Sequence, residues 1–500
     1  MIIHWFRRDL RLRDNPALDA ALRAAGGRVI PLFVLDDALL GGRVGPARLA
    51  FLRDTLRALD ADLRSHGSRL ILRRGPPVEV LRGLIEETGA SGLHFNRDYT
   101  PFARARDGRV RAELAGRVAL ADFNDLTIWE PDALFTKAGR PYTVYTPYRR
   151  QWQARVEAAR AELLAETALP GFAPPPDGLA SLPLTVLDEL AGAPSQQIPP
   201  GGEAAALARL SAFTEGDGPD SIAAYHTRRD QMALPGTSRL SAYLHLGCVP
   251  ARACLRAALR AAERLGPAAR EGVETWVSEL AWRDFYTQIL YHFPHVLRGA
   301  FKPELDGLAW ENRADLFDAW QQGRTGYPII DAAMRQLQAE AWMHNRARMI
   351  TGSFLVKDLL ISWRWGEDHF LRLLVDGDHA ANNGGWQWVA STGTDAQPYF
   401  RIFNPVSQGQ KFDPRGEYVR RYLPELRGVP ERYIHAPWTM PPDEQRRAGV
   451  QIGRDYPAPV VDHAARRDRA LAMYRAARAQ GLGAGEEGLG AGDEGIGAGD

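Results

Sequence analysis

A chain of 500 residues, 45% hydrophobic and 25% charged, is large enough for two or more hydrophobic cores, which excludes a single small domain. Its formal charge of +1 excludes a uniformly basic nucleic-acid binder, so any DNA surface must be a local patch among compensating acidic faces. Cys248 and Cys254 are the only cysteines, no run is long and apolar enough to span a bilayer, and the first residues do not read as a signal peptide; these features predict a cytoplasmic chain with no metal framework and no membrane partner.

In chain order, residues 1–130 alternate short apolar strands with Ala/Leu/Arg-rich helical patterns. Residues 2–6, 28–35, 69–72, 92–95 and 118–122 read as buried strands, and 47–65 and 77–88 as helices between them. That spacing predicts βαβ units, hence an α/β domain with a doubly wound parallel sheet. The first strand runs into Arg7-Arg8-Asp9-Leu10-Arg11 where a dinucleotide fold would carry G-x-G-x-x-G. The arginine cluster reads either as a solvated loop ahead of a helix cap or as a ligand contact.

Prolines punctuate residues 131–202, which read as a long surface connector with few elements of its own. Residues 203–475 carry helical periodicity and predict an all-α second domain. Residues 476–500 hold the repeats GLGAGEE, GLGAGDE and GIGAGD, too rich in glycine for a coiled coil, and read as a disordered acidic tail.

Within the helical part, Thr237-Ser238-Arg239-Leu240-Ser241 offers hydroxyls and backbone N–H groups where a helix begins, suited to an N-cap or to a phosphate. Glu279, Trp282, Arg283 and Tyr286 fall on one helix face; they form either a half-buried surface with a Glu279–Arg283 pair or a pocket that stacks a base and hydrogen-bonds its edge. Asp376-Gly377-Asp378, followed by Asn382 and the pair Gly384-Gly385, combines carboxylates, amides and close backbone approach, a set that can hold a planar ring. The same run also reads as an Asx-rich loop before an aromatic helix.

DGD-x-AANN-GG-W-Q-W from Asp376 resembles the flavin-binding segment of the photolyase/cryptochrome family. Further similar runs follow in family order: WFRRDLRLRDNPAL from Trp5, TSRLSAYLHLG from Thr237, WVSELAWRDFY from Trp276, TGYPIIDAAMRQL from Thr325, WMHNRARMITGSFLVKDLL from Trp342 and YFRIFNP from Tyr399. The resemblance implies an α/β antenna domain followed by an all-α FAD-binding domain.

It also implies roles. FAD contacts fall to Tyr225, Thr237, Ser238, Arg239, Leu240, Ser241, Arg348, Asp376, Gly377, Asp378 and Asn382, with Arg348 pairing with Asp376 and Asn382 facing the reactive flavin nitrogen. Catalysis falls to Glu279, Asn345 and Asn382. Damaged DNA is met by Arg229, Glu279, Trp282, Arg283, Tyr286, Asn345, Arg346, Met349, Trp388, Arg401 and Gln408. Trp386, Trp363 and Trp310 match an electron relay from flavin to surface. The implied activity is light-driven repair of UV-damaged DNA, most similar to class I cyclobutane pyrimidine dimer photolyases, by a monomer. A cryptochrome photoreceptor, a (6-4) photolyase or a plain flavoprotein oxidoreductase are the alternatives. A second antenna chromophore is implied as 8-hydroxy-5-deazaflavin, FMN or methenyltetrahydrofolate; Arg109, where folate binders tend to be acidic, argues against folate.

Overall fold

The computed structural model describes residues 1–41, 44–165 and 168–485. Strands β1 (Ile2–Phe6), β2 (Val29–Leu35), β3 (Ile71–Arg74), β4 (Gly92–Asn96) and β5 (Ala119–Phe123) form one parallel sheet in the order β3-β2-β1-β4-β5. All lie within two residues of the expected strands. Their side chains alternate between two faces, as the two-residue period requires. Ile3, Trp5, Ile30, Leu32, Leu93 and Phe95 pack with Leu81, Leu84, Val110 and Leu114. Phe6, Val29, Phe33 and Leu72 pack with Leu18, Leu22, Phe51 and Leu59.

Strand order reverses between β1 and β4, the crevice where such sheets place a ligand. Here polar side chains fill it. Asn96 Nδ2 donates to Asp9 Oδ2 and to Asn15 Oδ1, both at 2.7 Å, and Asn15 also caps helix Pro16–Ala25. The reading of Arg7–Arg11 as a solvated loop is therefore corrected. Arg7 pairs with Asp107, Arg8 with Asp378 and Arg11 with Asp125.

The core beside helix Pro46–Ser65 does not stop at residue 130. It continues through Tyr145, Tyr148 and Trp152 into Leu240, Leu255, Trp276 and Phe285. Residues 131–202, expected as a surface connector, thus carry helices Tyr145–Ala158, Arg160–Leu164 and Val186–Ala191 and contribute to the core joining the two halves. The prolines obscured this because Pro147 sits in a first helical turn, where its missing N–H is harmless. Asp284 ties three segments together, accepting from Ile128 N at 3.0 Å, Trp129 N at 3.3 Å and Trp152 Nε1 at 2.9 Å.

Beyond Glu203 the regular elements among the described residues are helices. Helix His463–Gly485 docks through Arg466–Glu311 at 2.9 Å and Tyr474 Oη to Ala390 O at 2.6 Å. It includes 476–485, the first part of the expected disordered tail; residues 486–500 lie outside the described residues. Among the described residues no helix is long and apolar enough to cross a membrane.

Candidate functional site

Asp378 starts helix His379–Val389, its Oδ1 accepting from Ala381 N at 3.0 Å. Its Oδ2 accepts from Arg8 of the sheet domain at 2.6 Å. Burial works to raise the Asp378 pKa, yet Arg8 and His245 draw it well below the usual carboxylate range. Asp376 is buried and pairs with Arg348 at 2.8 Å, as the resemblance implies. Between these carboxylates, a Cβ on Gly377 would lie 2.6 Å from the Arg48 guanidinium, which donates to Gly377 O at 2.5 Å. Gly384, inside helix His379–Val389, has the same use, because a Cβ there would meet the Tyr286 ring at 2.2 Å. Asn382 Nδ2 donates to Glu367 O at 3.0 Å, so the amide presents its oxygen.

Helix Arg270–His292 carries Glu279, Trp282 and Tyr286. Glu279 pairs with Arg229 at 2.6 Å and not with Arg283; burial raises its pKa against the pull of Arg229. Tyr145 stacks on Trp282 with centroids 3.5 Å apart and planes 9° from parallel, and Tyr286 follows at 5.4 Å. Arg283 was expected on the DNA face. Its guanidinium donates to the carbonyls of Leu126 and Leu244, so it is satisfied inside the protein.

A helix begins at this run: Leu240 is the N-cap of helix Ser241–Leu246, Thr237, Ser238 and Arg239 form the loop ahead of it, and no side chain caps it. Arg209 pins that loop, donating to Ser238 O at 2.7 Å and Thr237 O at 2.9 Å. Arg239 pairs with Glu340 and covers the Trp342 ring, Leu240 is buried, and Ser241 is exposed. Tyr225 is buried beside Glu279 and Arg229.

His344, not Asn345, caps helix Asn345–Ser353, its Nδ1 accepting from Arg346 N at 3.1 Å. Asn345 is exposed, with Nδ2 3.9 Å from Met349 Sδ. Arg346 pairs with Asp230 at 2.8 Å and lies over Phe412. Trp388 and Gln408 are half-buried, whereas Arg401 is exposed and its guanidinium meets no partner among the described residues.

Trp386 and Trp363 share one core, with Trp310 packed at its edge. The rings that meet Trp386 are Phe370 at 4.9 Å and Trp320 at 6.2 Å. Gly366 makes that fit possible, since a Cβ there would sit 2.1 Å from the indole. Trp386 Nε1 is buried with no hydrogen-bond partner among the described residues. Together with the Asp376 carboxylate and the Asn382 oxygen, it gives a donor and acceptor set that fits a flavin.

Arg8, Arg48, Arg209, Tyr145 and Gly366 were not singled out in sequence as site residues. The arginine cluster after β1 was a usable signal for Arg8; nothing beside Arg48 or Tyr145 distinguishes them from packing residues.

Residues 276–476 match the family described as the FAD binding domain of DNA photolyase, and residues 2–170 the family described as DNA photolyase. The deoxyribodipyrimidine photo-lyase of Halobacterium salinarum is 43% identical over 497 residues, spanning 96% of this chain and 99% of that one. A solved class III photolyase from Agrobacterium tumefaciens superposes with a TM-score of 0.87 at 39% identity, covering 96% of this chain and 98% of the other. A Synechocystis cryptochrome superposes with a TM-score of 0.86 at 28% identity, covering 95% and 99%. The chain therefore belongs to the DNA photolyase family, and its helical half is that family's FAD-binding domain.

Proposed function

We propose that this chain is a light-driven enzyme that splits cyclobutane pyrimidine dimers in duplex DNA. Bound FAD, once reduced and excited by light, would supply electron-transfer chemistry to the lesion with no net redox change. The chain's own residues do the rest. Trp282, Tyr286 and Trp388 offer faces on which an extruded dimer stacks. Glu279, held by Arg229, presents a carboxyl group to the dimer edge, and Asp376 with Arg348 and Asn382 orient the flavin. Arg229, Arg346, Arg401 and Gln408 make up the DNA face, where phosphate contacts position the duplex without reading its sequence. Of these, Arg401 needs no internal ion pair broken to meet a phosphate.

The observation that carries the choice of lesion is the pair Asn345 and Met349, in contact on one helix face. Relatives that repair (6-4) photoproducts have histidines at the matching positions, because that reaction needs a proton donor. The neighbouring His344 does not replace them: it is buried as a helix cap, and burial pushes its pKa down to about 4, so it is uncharged at neutral pH. Illuminating reduced protein with duplexes carrying one lesion of each type tests this. Restored cyclobutane dimers and unchanged (6-4) lesions are expected; preferential (6-4) repair, or no repair of either, overturns the proposal.

We propose further that Trp386, Trp363 and Trp310 relay electrons to oxidised FAD. Their support is burial in one core with Trp310 at its margin. Trp386→Phe is expected to block photoreduction, yet to leave repair intact after reduction with dithionite. A folded, FAD-loaded variant inactive after that reduction assigns Trp386 to structure or substrate instead. A second chromophore in the N-terminal domain is part of the same proposal, and mass spectrometry of chromophores released from protein made in its own host identifies it.

A further inference from the structure

The sheet domain reaches into the flavin loop with two arginines. Arg8 leaves the end of β1 and donates to Asp378 Oδ2 at 2.6 Å and to His245 O at 3.0 Å, with Asp98 3.9 Å away. Arg48, on helix Pro46–Ser65, is buried and donates to Gly377 O and Leu371 O. Together they hold the side chain at one end of the Asp376-Gly377-Asp378 turn and the backbone in its middle. Arg348 of the helical domain holds the other carboxylate.

We propose that Arg8 is a positioning residue for the flavin, acting through Asp378, and that Arg48 supports it by fixing the turn between the two carboxylates. The proposal rests on the reading of Asp378 as a flavin contact. The chemistry follows from charge. A half-buried carboxylate with an arginine on one oxygen and a helix N-terminus on the other is fixed in rotamer and kept ionised. Removing Arg8 takes away the cation hydrogen-bonded to that carboxylate and leaves it the weaker company of Arg48 and Arg283, and the added negative field opposes the addition of an electron. The midpoint potential of bound flavin then falls, and FAD is held less firmly. An arginine that merely glued two domains together would change thermal stability without moving the potential.

The test is a double-mutant cycle on the FAD-loaded protein with Arg8→Met, Asp378→Asn and the combination. The readouts are FAD release, followed by its fluorescence, and the midpoint potential of the bound flavin. Arg8→Met is expected to speed FAD release about tenfold or more and to lower the potential. Adding Asp378→Asn to Arg8→Met is expected to move the potential back up, because the carboxylate's charge is gone, so the two effects are not additive. Arg8→Lys, which keeps the charge, is expected to retain most of the potential, and it gives the same readouts where Arg8→Met does not fold. If Asp378→Asn changes FAD release while neither Arg8 variant does, the positioning role is wrong and the reading of Asp378 stands. If Asp378→Asn changes neither readout, the reading of Asp378 falls and takes this proposal with it.

Discussion

Lys357 is an ammonium buried completely, its Nζ donating to Arg401 O at 3.0 Å. Burial pushes its pKa from 10.5 down to about 7, with Asp358 pulling weakly the other way. Between those two values the unfolded chain holds a proton that the folded chain has lost, so folding stability rises with pH across the window and is lost as pH falls through about 7. Comparing Tm for the wild type and Lys357→Met from pH 7 to pH 9 isolates this group. The wild type is expected to gain on the variant as pH rises; parallel profiles would show that Lys357 stays protonated throughout. The same contact bears on DNA, because the backbone of Arg401, the exposed cation of the proposed DNA face, hangs from Lys357.

Helix His463–Gly485 shows what one element contributes. His463 pairs with Asp358 at 2.5 Å, and Tyr474 and Ala477 complete a small core with Leu305 and Leu308. A chain ending at Gly485 is expected to keep its thermal stability, since residues 486–500 are mostly glycine and acid and have little apolar surface to bury. One ending at Asp462 is expected to lose several kcal/mol in urea unfolding, because that core is opened and Arg466 no longer answers Glu311. Equal stability of the two truncations would contradict the docking described. Elements of this kind were legible in sequence where the local pattern is clear: the five strands by their short, largely apolar runs between helical stretches, the Glu279–Tyr286 face by its helical spacing. The helix at Tyr145–Ala158 was not, because its proline lies where helices tolerate it. Nor was the pairing of Arg8 with Asp378, since no local pattern announces a partner 370 residues away.

At the scale of the whole molecule, one hydrophobic core passes from the sheet into the helical half, so the two halves share their stability. Cys248 reports on that union, being fully buried with Sγ 3.8 Å from Thr55 Oγ1 of the sheet domain. Labelling of Cys248 by a thiol reagent is expected to follow the same urea dependence as FAD release, as in a single cooperative transition. Labelling that precedes FAD release would mean that the halves part while the flavin loop stays folded. The docking through Arg8, Arg48 and Asp284 has an optical consequence as well. Energy passed between two chromophores depends on their separation and on the angle between their transition dipoles, and a hinge would smear both. Here the sheet is bolted to the turn proposed to hold the flavin, so a chromophore carried by the sheet domain would see a flavin bound there at one distance and one angle. Its excited state would then decay with a single transfer time instead of a spread.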